Sequence, residues 1–419
     1  MAVNIVTNNA LLKKTNKAAT VSNRRTTMNS KMIGLTALLS TLTMASLSYA
    51  DVPNTFASGE PAVASEINEN FSGLDTRVTA LENAAENSSA TTISVDCASE
   101  SINNTIAAAA PANHLIVNII GTCNERVVIS RSNVSLVGAV GGGTSINFVE
   151  TPLSPLHASL NANELVNVQG TVNIIGALNV IIDNLTITGA TYDGGTDGEA
   201  GKGVAVRFNS SVLIQNSTIT GNNSGIISNS GGVAILSSNT ITGNNKYGII
   251  ASDGGIIRLI GGNTIDQSTA TSTAAVGAYR NGTITFLGAN SVTSSNAALD
   301  IFHGSQVRAF YGLLTVNGNS GVGYESQINL RDANHIGNIR IYTKGAVRLQ
   351  SRTNQTTDSI TVTGDIILGD FAVFNASGAT TVNGSVTCNS LLSSVYSSGT
   401  VTNGIIGCNQ LLNLVSAQQ

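Results

Sequence analysis

The sequence has no tryptophan, five prolines, four histidines and four cysteines in 419 residues, and only 11% of it is charged. Charge this scarce, against roughly 25% in ordinary soluble domains, excludes a charged coiled-coil rod. Hydrophobic content of 42% argues against disorder. The histidines are too few for a histidine-rich metal cluster, and no nucleophile elbow, P-loop, zinc spacing or dinucleotide fingerprint occurs. What remains is Gly, Asn, Ser, Thr, Val and Ile. That composition suits a large β structure with an aliphatic core and a neutral polar surface.

The little charge there is lies unevenly. Residues 1–50 carry Lys13, Lys14, Lys17, Arg24, Arg25 and Lys31 and no acid, so the formal net charge of −4 conceals a distinctly acidic remainder. An acidic body opposes nucleic acid as a partner. An apolar run, Ile33–Leu47, follows the basic residues and ends in Ser48-Tyr49-Ala50. This is the pattern of a secretory leader over residues 1–50, cleaved after Ala50, with Met28 as an alternative start. No other run is long and apolar enough to span a bilayer.

Beyond the leader a phrase recurs: Asn184-Leu-Thr-Ile187, Asn216-Ser-Thr-Ile219, Asn239-Thr-Ile241, Asn263-Thr-Ile265 and Asn290-Ser-Val292, then Leu314-Thr-Val316. The apolar landmark advances by 32, 22, 24, 27 and 24 residues. Units of this size cannot bury their own apolar face and must stack. Around each phrase two more short strands alternate with Gly- and Asn-rich turns, as in Gly225-Ile-Ile, Val233-Ala-Ile235 and Asn239-Thr-Ile241. Three strands per unit predict a triangular coil. The recurrent Asn residues are expected at the turns, where they tolerate left-handed backbone and bond to the coils above and below.

The cysteines agree with this period. Cys97 and Cys123 are 26 residues apart, and Cys388 and Cys408 are 20 apart. Residues one coil apart stack at about 4.8 Å, within disulfide reach. The expected pairs are therefore Cys97–Cys123 and Cys388–Cys408, one near each end of the stack. Secretion makes such bridges permissible.

Residues 51–92 read as a helical stalk or linker. Phe71, Leu74, Val78 and Leu81 form a short heptad seam, so the 68–85 helix is either a homo-oligomerising (trimeric) element or a single amphipathic helix. The 56–71 stretch resembles stalks that precede surface and phage-tail-like proteins. Ser99–Ala110 is expected to be a short helix capping the open N-terminal end of the stack.

Period, turns and terminal staples together give an all-β body over residues 93–419, and in this it resembles the right-handed parallel β-helix (pectin-lyase-like) superfamily. That superfamily spans lyases, glycoside hydrolases, epimerases, esterases, adhesins and tailspikes, so the resemblance implies a fold more than an activity. Its polysaccharide lyases use an arginine base beside acidic calcium ligands on an outward strand face. Arg280, Asp300 and His303 are the residues here that resemble that set. Tyr279 and Phe302, with Arg308 and Tyr311 nearby, form a candidate carbohydrate-stacking surface. The pair of carboxylates that glycoside hydrolases require is not evident. The repeat swells between Gly189 and Gly201, where Asp193, Asp197 and Glu199 offer oxygen ligands for calcium; a solvated polar loop is the alternative. Arg331, Arg340, Lys344, Arg348 and Arg352, with Asp332 and His335, form a basic stretch that either meets acidic polysaccharide or is a solvated face. The expectation is a secreted, non-catalytic β-helix scaffold or adhesin that contacts surface glycan. A polysaccharide lyase or hydrolase and a trimeric tailspike-like adhesin are the alternatives.

Overall fold

The computed structural model describes residues 90–110, 114–139, 143–149, 169–191, 201–269, 273–351 and 359–410. The leader, the 68–85 helix, Arg352 and the Asp193, Asp197 and Glu199 loop lie outside the described residues. Among the described residues no helix is long and apolar enough to cross a membrane.

The body is a parallel β-helix of about twelve turns. One coil shows the plan. Lys202–Arg207, Ser211–Gln215 and Thr218–Thr220 are its three strands, and Ser224–Ser228 begins the next coil directly on Lys202–Arg207. Three walls result. Wall A is a fourteen-stranded parallel sheet from Thr91–Asp96 to Asn409–Gln410. Its first strand starts two residues before the boundary read from the sequence. Wall B holds the Asn-Thr-Ile strands, with Ile187, Ile219, Ile241, Ile265, Val292 and Val316 in one buried column. Wall C holds the strands equivalent to Lys202–Arg207. Walls B and C merge where Asn290–Ile301 and Leu314–Val322 run unbroken through the corner, with register shifts between Thr293 and Ala297 and between Ala297 and Leu299.

Alternate side chains point inward, and Val and Ile dominate them because β-branched residues fit a pleated, buried face. Each fully buried aliphatic side chain contributes about 1.5–3 kcal/mol. The polar corners are satisfied by side chains. Ser217, Asn239, Asn263 and Asn290 form one ladder, in which the backbone N–H of each of the first three donates to the Oδ1 of the Asn on the next coil. Asn222, Asn244 and Gln267 form a second at the opposite corner of wall B. The repeated phrase thus hides two roles. With two residues between Asn and Ile, as at Asn184 and Asn216, the Asn takes the left-handed turn position, φ 55° and 51°. With one, as at Asn239 and Asn263, the Asn is itself the ladder rung.

The N-terminal end is closed by helix α1, Ile102–Ala108, which buries Ile102 and Ile106. Ser101 caps it by accepting from Asn104 N–H. Asn103 substitutes for a missing strand: its amide donates to Arg126 O and accepts from Val128 N–H. This covers the edge of Val127–Ile129, which would otherwise be a site for unwanted strand pairing.

Both expected disulfides form, with Cα–Cα separations of 4.7 Å for Cys97–Cys123 and 4.9 Å for Cys388–Cys408. Serine at both Cys388 and Cys408 should destabilise by about 3 kcal/mol, the loop-closure entropy of a loop this short. The damage should stay in the last coils, since solenoid repeats contact only their neighbours. Limited proteolysis checks this: cleavage should begin beyond Ser385 while the central coils persist, and random cleavage throughout would contradict it.

Candidate functional site

The outward face of wall C is where sequence-expected residues converge. Its strands place Gly277, Asp300, Gly321 and Arg340 in one column, residue over residue. In the adjacent outward column the chain places Tyr279, Phe302, Gly323 and Tyr342, joined by Phe302 N–H to Ala278 O, Gly323 N–H to Ile301 O and Tyr342 N–H to Val322 O. The inward Val276, Ala278, Leu299 and Ile301 are fully buried, which fixes the outward phase of their neighbours.

Glycines let the rings meet. A Cβ on Gly323 would lie 2.7 Å from Tyr342 Cβ and 3.0 Å from Phe302 Cε1. With no side chain there, Phe302 and Tyr342, two coils apart, reach across the gap to a centroid separation of 5.5 Å. Tyr324 joins at 5.7 Å from Phe302, and the His303 ring stacks on Tyr324 at 5.2 Å, nearly parallel. The Arg340 guanidinium lies over Tyr342 at 5.7 Å. Beside this cluster is a cleft of about 330 Å³ lined by Asn296, Asp300, Asn319, Asn338, Arg340 and Tyr342. The unbroken B–C corner brings Asn296 and Asn319 to its rim.

Asp300 is half-buried and accepts a short hydrogen bond from Tyr279 Oη. Tyr279 Oη also lies 3.2 Å from Tyr247 Oη. Burial raises the Asp300 carboxyl above its usual range, against the lowering effect of the Tyr279 bond. Burial, and then the Asp300 charge, push the Tyr279 phenol well above the ordinary tyrosine range. The Tyr279 proton is therefore held firmly, and the phenol serves as a donor rather than a base.

The expected Arg280, Asp300 and His303 set is not assembled. Arg280 sits at a left-handed turn, φ 47°, and turns back to the preceding coil. There it forms a two-pronged pair with Asp253 at 2.6 and 2.9 Å, which holds the Asp253 carboxyl below its usual range. His303, also left-handed, is occupied in stacking. Arg308 and Tyr311 lie on wall A and its following turn, away from Tyr279 and Phe302. The basic stretch disperses: Arg331 lies over Phe310, Lys344 pairs with Glu325, Arg340 faces out from wall C and Arg348 from wall A. Asp332 is at a turn, and His335 is inside the core. Sequence reading missed Tyr324, Tyr342 and Tyr247. The available signal was the Gly321-Val-Gly323 pair, which leaves one rung of an outward face without side chains.

Calcium does not fit the wall C site. A hard cation takes six to eight oxygen ligands. Asp300 is the one carboxylate on the described strands of this wall, and Tyr279 already engages it. Among the described residues no group of three His, Cys, Asp or Glu side chains is placed to hold a metal.

No family model matches the chain, and no curated protein sequence does. Among solved structures the chain is similar to one titled "Crystal structure of Agl-KA catalytic domain", at 12% identity and a TM-score of 0.31. The match covers 72% of this chain and 63% of that one, so the chain spans under two-thirds of that domain. A likeness this distant carries no argument about activity.

Proposed function

We propose that this is an extracellular carbohydrate-binding β-helix, with glycan seated on the outer face of wall C. The observation that supports this most is the cluster of Phe302, Tyr324, Tyr342 and His303 rings beside a cleft of amides, one carboxylate and one guanidinium. Pyranose rings present apolar faces to aromatic side chains and hydroxyls to amides and carboxylates. Two disulfides fit an oxidising compartment. The non-catalytic reading rests on Asp300, a lone carboxylate with no partner at matching register: Gly277 and Gly321 occupy the rungs on either side. Oligomerisation through residues 68–85 belongs to the same proposal as a means of multivalent attachment.

Affinity electrophoresis through gels containing xylan, polygalacturonate, alginate or a soluble cellulose derivative tests the reading. At least one polysaccharide should retard the protein. Alanine at both Tyr324 and Tyr342 should weaken that interaction roughly tenfold, ~1.4 kcal/mol. Retardation by none of them, or equal retardation of the double variant, would refute the site. Release of unsaturated uronate that Asp300→Asn abolishes would replace binding with lyase activity.

A further inference from the structure

Wall A carries a second surface, independent of the aromatic site. Its outward middle column runs Arg258, Thr285, Arg308, Asn329, Arg348, Asn375, paired residue over residue. Arginine occupies alternate coils, with a small polar residue between. At the strand spacing, successive guanidiniums are rooted about 9.6 Å apart, and the three span about 19 Å. Arg258, Arg308 and Arg348 are all exposed. The described wall A strands from Ile256 to Ser397 contain no Asp or Glu, so no carboxylate on those strands neutralises them. Arg308 donates to Gln306 Oε1, a neutral group. In a protein with so few charges, three cations in one register column create a linear positive potential.

We propose that this column is a docking track for an extended acidic polysaccharide with a carboxylate on alternate sugars, lying along the solenoid axis. An extended pyranose chain advances by about one strand spacing per sugar, so alternate sugars meet alternate coils. Guanidinium forks match carboxylates in a two-pronged geometry. Thr285 and Asn329, the uncharged residues of the column, then face the neutral sugar between. Duplex nucleic acid fits poorly: its phosphates recur about every 3.4 Å along a strand, so most would meet no arginine.

Calorimetric titration of the full chain with a hyaluronan oligosaccharide, whose carboxylates fall on alternate sugars, tests the track. Binding should occur at low salt, weaken as salt rises, and vanish when the carboxylates are reduced to alcohols. Arg258→Gln, Arg308→Gln and Arg348→Gln together should weaken it roughly tenfold or more. A charge-preserving exchange, Arg308→Asn with Asn329→Arg, tests the spacing and should weaken it roughly threefold or more, because one carboxylate loses its partner. Arg258, Arg308 and Arg348 are exposed and Asn329 is half-buried in the same outward column, and circular dichroism checks that the variants keep their β content. No binding by the native protein, equal binding by the triple variant or the exchange variant, or tighter binding of duplex DNA would each overturn the proposal.

Discussion

Replacing Asn263 with leucine is expected to destabilise the solenoid by about 4–6 kcal/mol, several times the effect of a typical surface substitution. The residue is buried in the middle of the wall B corner ladder. Its Oδ1 accepts from Asn239 N–H at 3.1 Å and Asn239 Nδ2 at 3.0 Å. Its Nδ2 donates to Leu236 O and Gly261 O at 3.1 Å and to Asn290 Oδ1 at 2.9 Å. Leucine matches the volume but strands buried donors and acceptors on the coil before, its own coil and the coil after. Each unsatisfied group costs about 1–3 kcal/mol. Asn216→Gly is the contrasting control. It stands in the same phrase, but its role is a left-handed turn that glycine adopts freely, so its effect should stay within about 1 kcal/mol. Urea midpoints for the two variants decide the matter; equal losses would show that the ladder carries no special weight.

The second large effect is acid lability centred on His335. This side chain points into the core, in a column with Val316 and Val362, and its Nε2 lies 2.8 Å from Ser320 Oγ. Burial lowers its pKa from the usual 6.5 to about 4. The folded state therefore holds the ring neutral while the unfolded chain takes up a proton. The contribution is fully present above pH 6.5 and is lost as pH falls from about 6.5 to about 4. A shift of that size corresponds to about 3 kcal/mol. Asp300 acts in the opposite sense. Its raised carboxyl protonates more readily in the fold, so acid favours the folded state there. His335→Gln leaves Asp300 in place and keeps a polar partner for Ser320. It should therefore flatten the fall in stability between pH 6.5 and 4.5, read from urea midpoints. An unchanged slope would move the acid sensitivity elsewhere.

Particular residues show how far the sequence could be read. The Cys97–Cys123 and Cys388–Cys408 pairs were legible because a disulfide between stacked coils needs only one coil of separation, and that is a distance along the chain. The inward Ile and Val of wall B were legible for the same reason. Arg280 was not. It is grouped with Asp300 by resemblance, but its left-handed backbone sends it one coil back to Asp253. His335 sits among basic residues in the sequence and so groups with surface charges there. Its inward phase is evident only once its pairing with Val316 and Val362 is known.

The sequence by itself determined the repeat, the three-walled coil, the capping helix and the two staples. These follow from local propensity and from spacing along the chain. Only the tertiary structure decided which outward residues face one another. Coil length varies, and the turns absorb the extra residues while the inward columns stay in register, so separation along the chain does not say which outward residues stack. The Phe302, Tyr324 and Tyr342 cluster and the alternate-coil arginines of wall A both depend on that register. So does the split of one Asn-containing phrase into turn and ladder roles: a single extra residue before the isoleucine moves the Asn from a buried rung to an exposed left-handed corner.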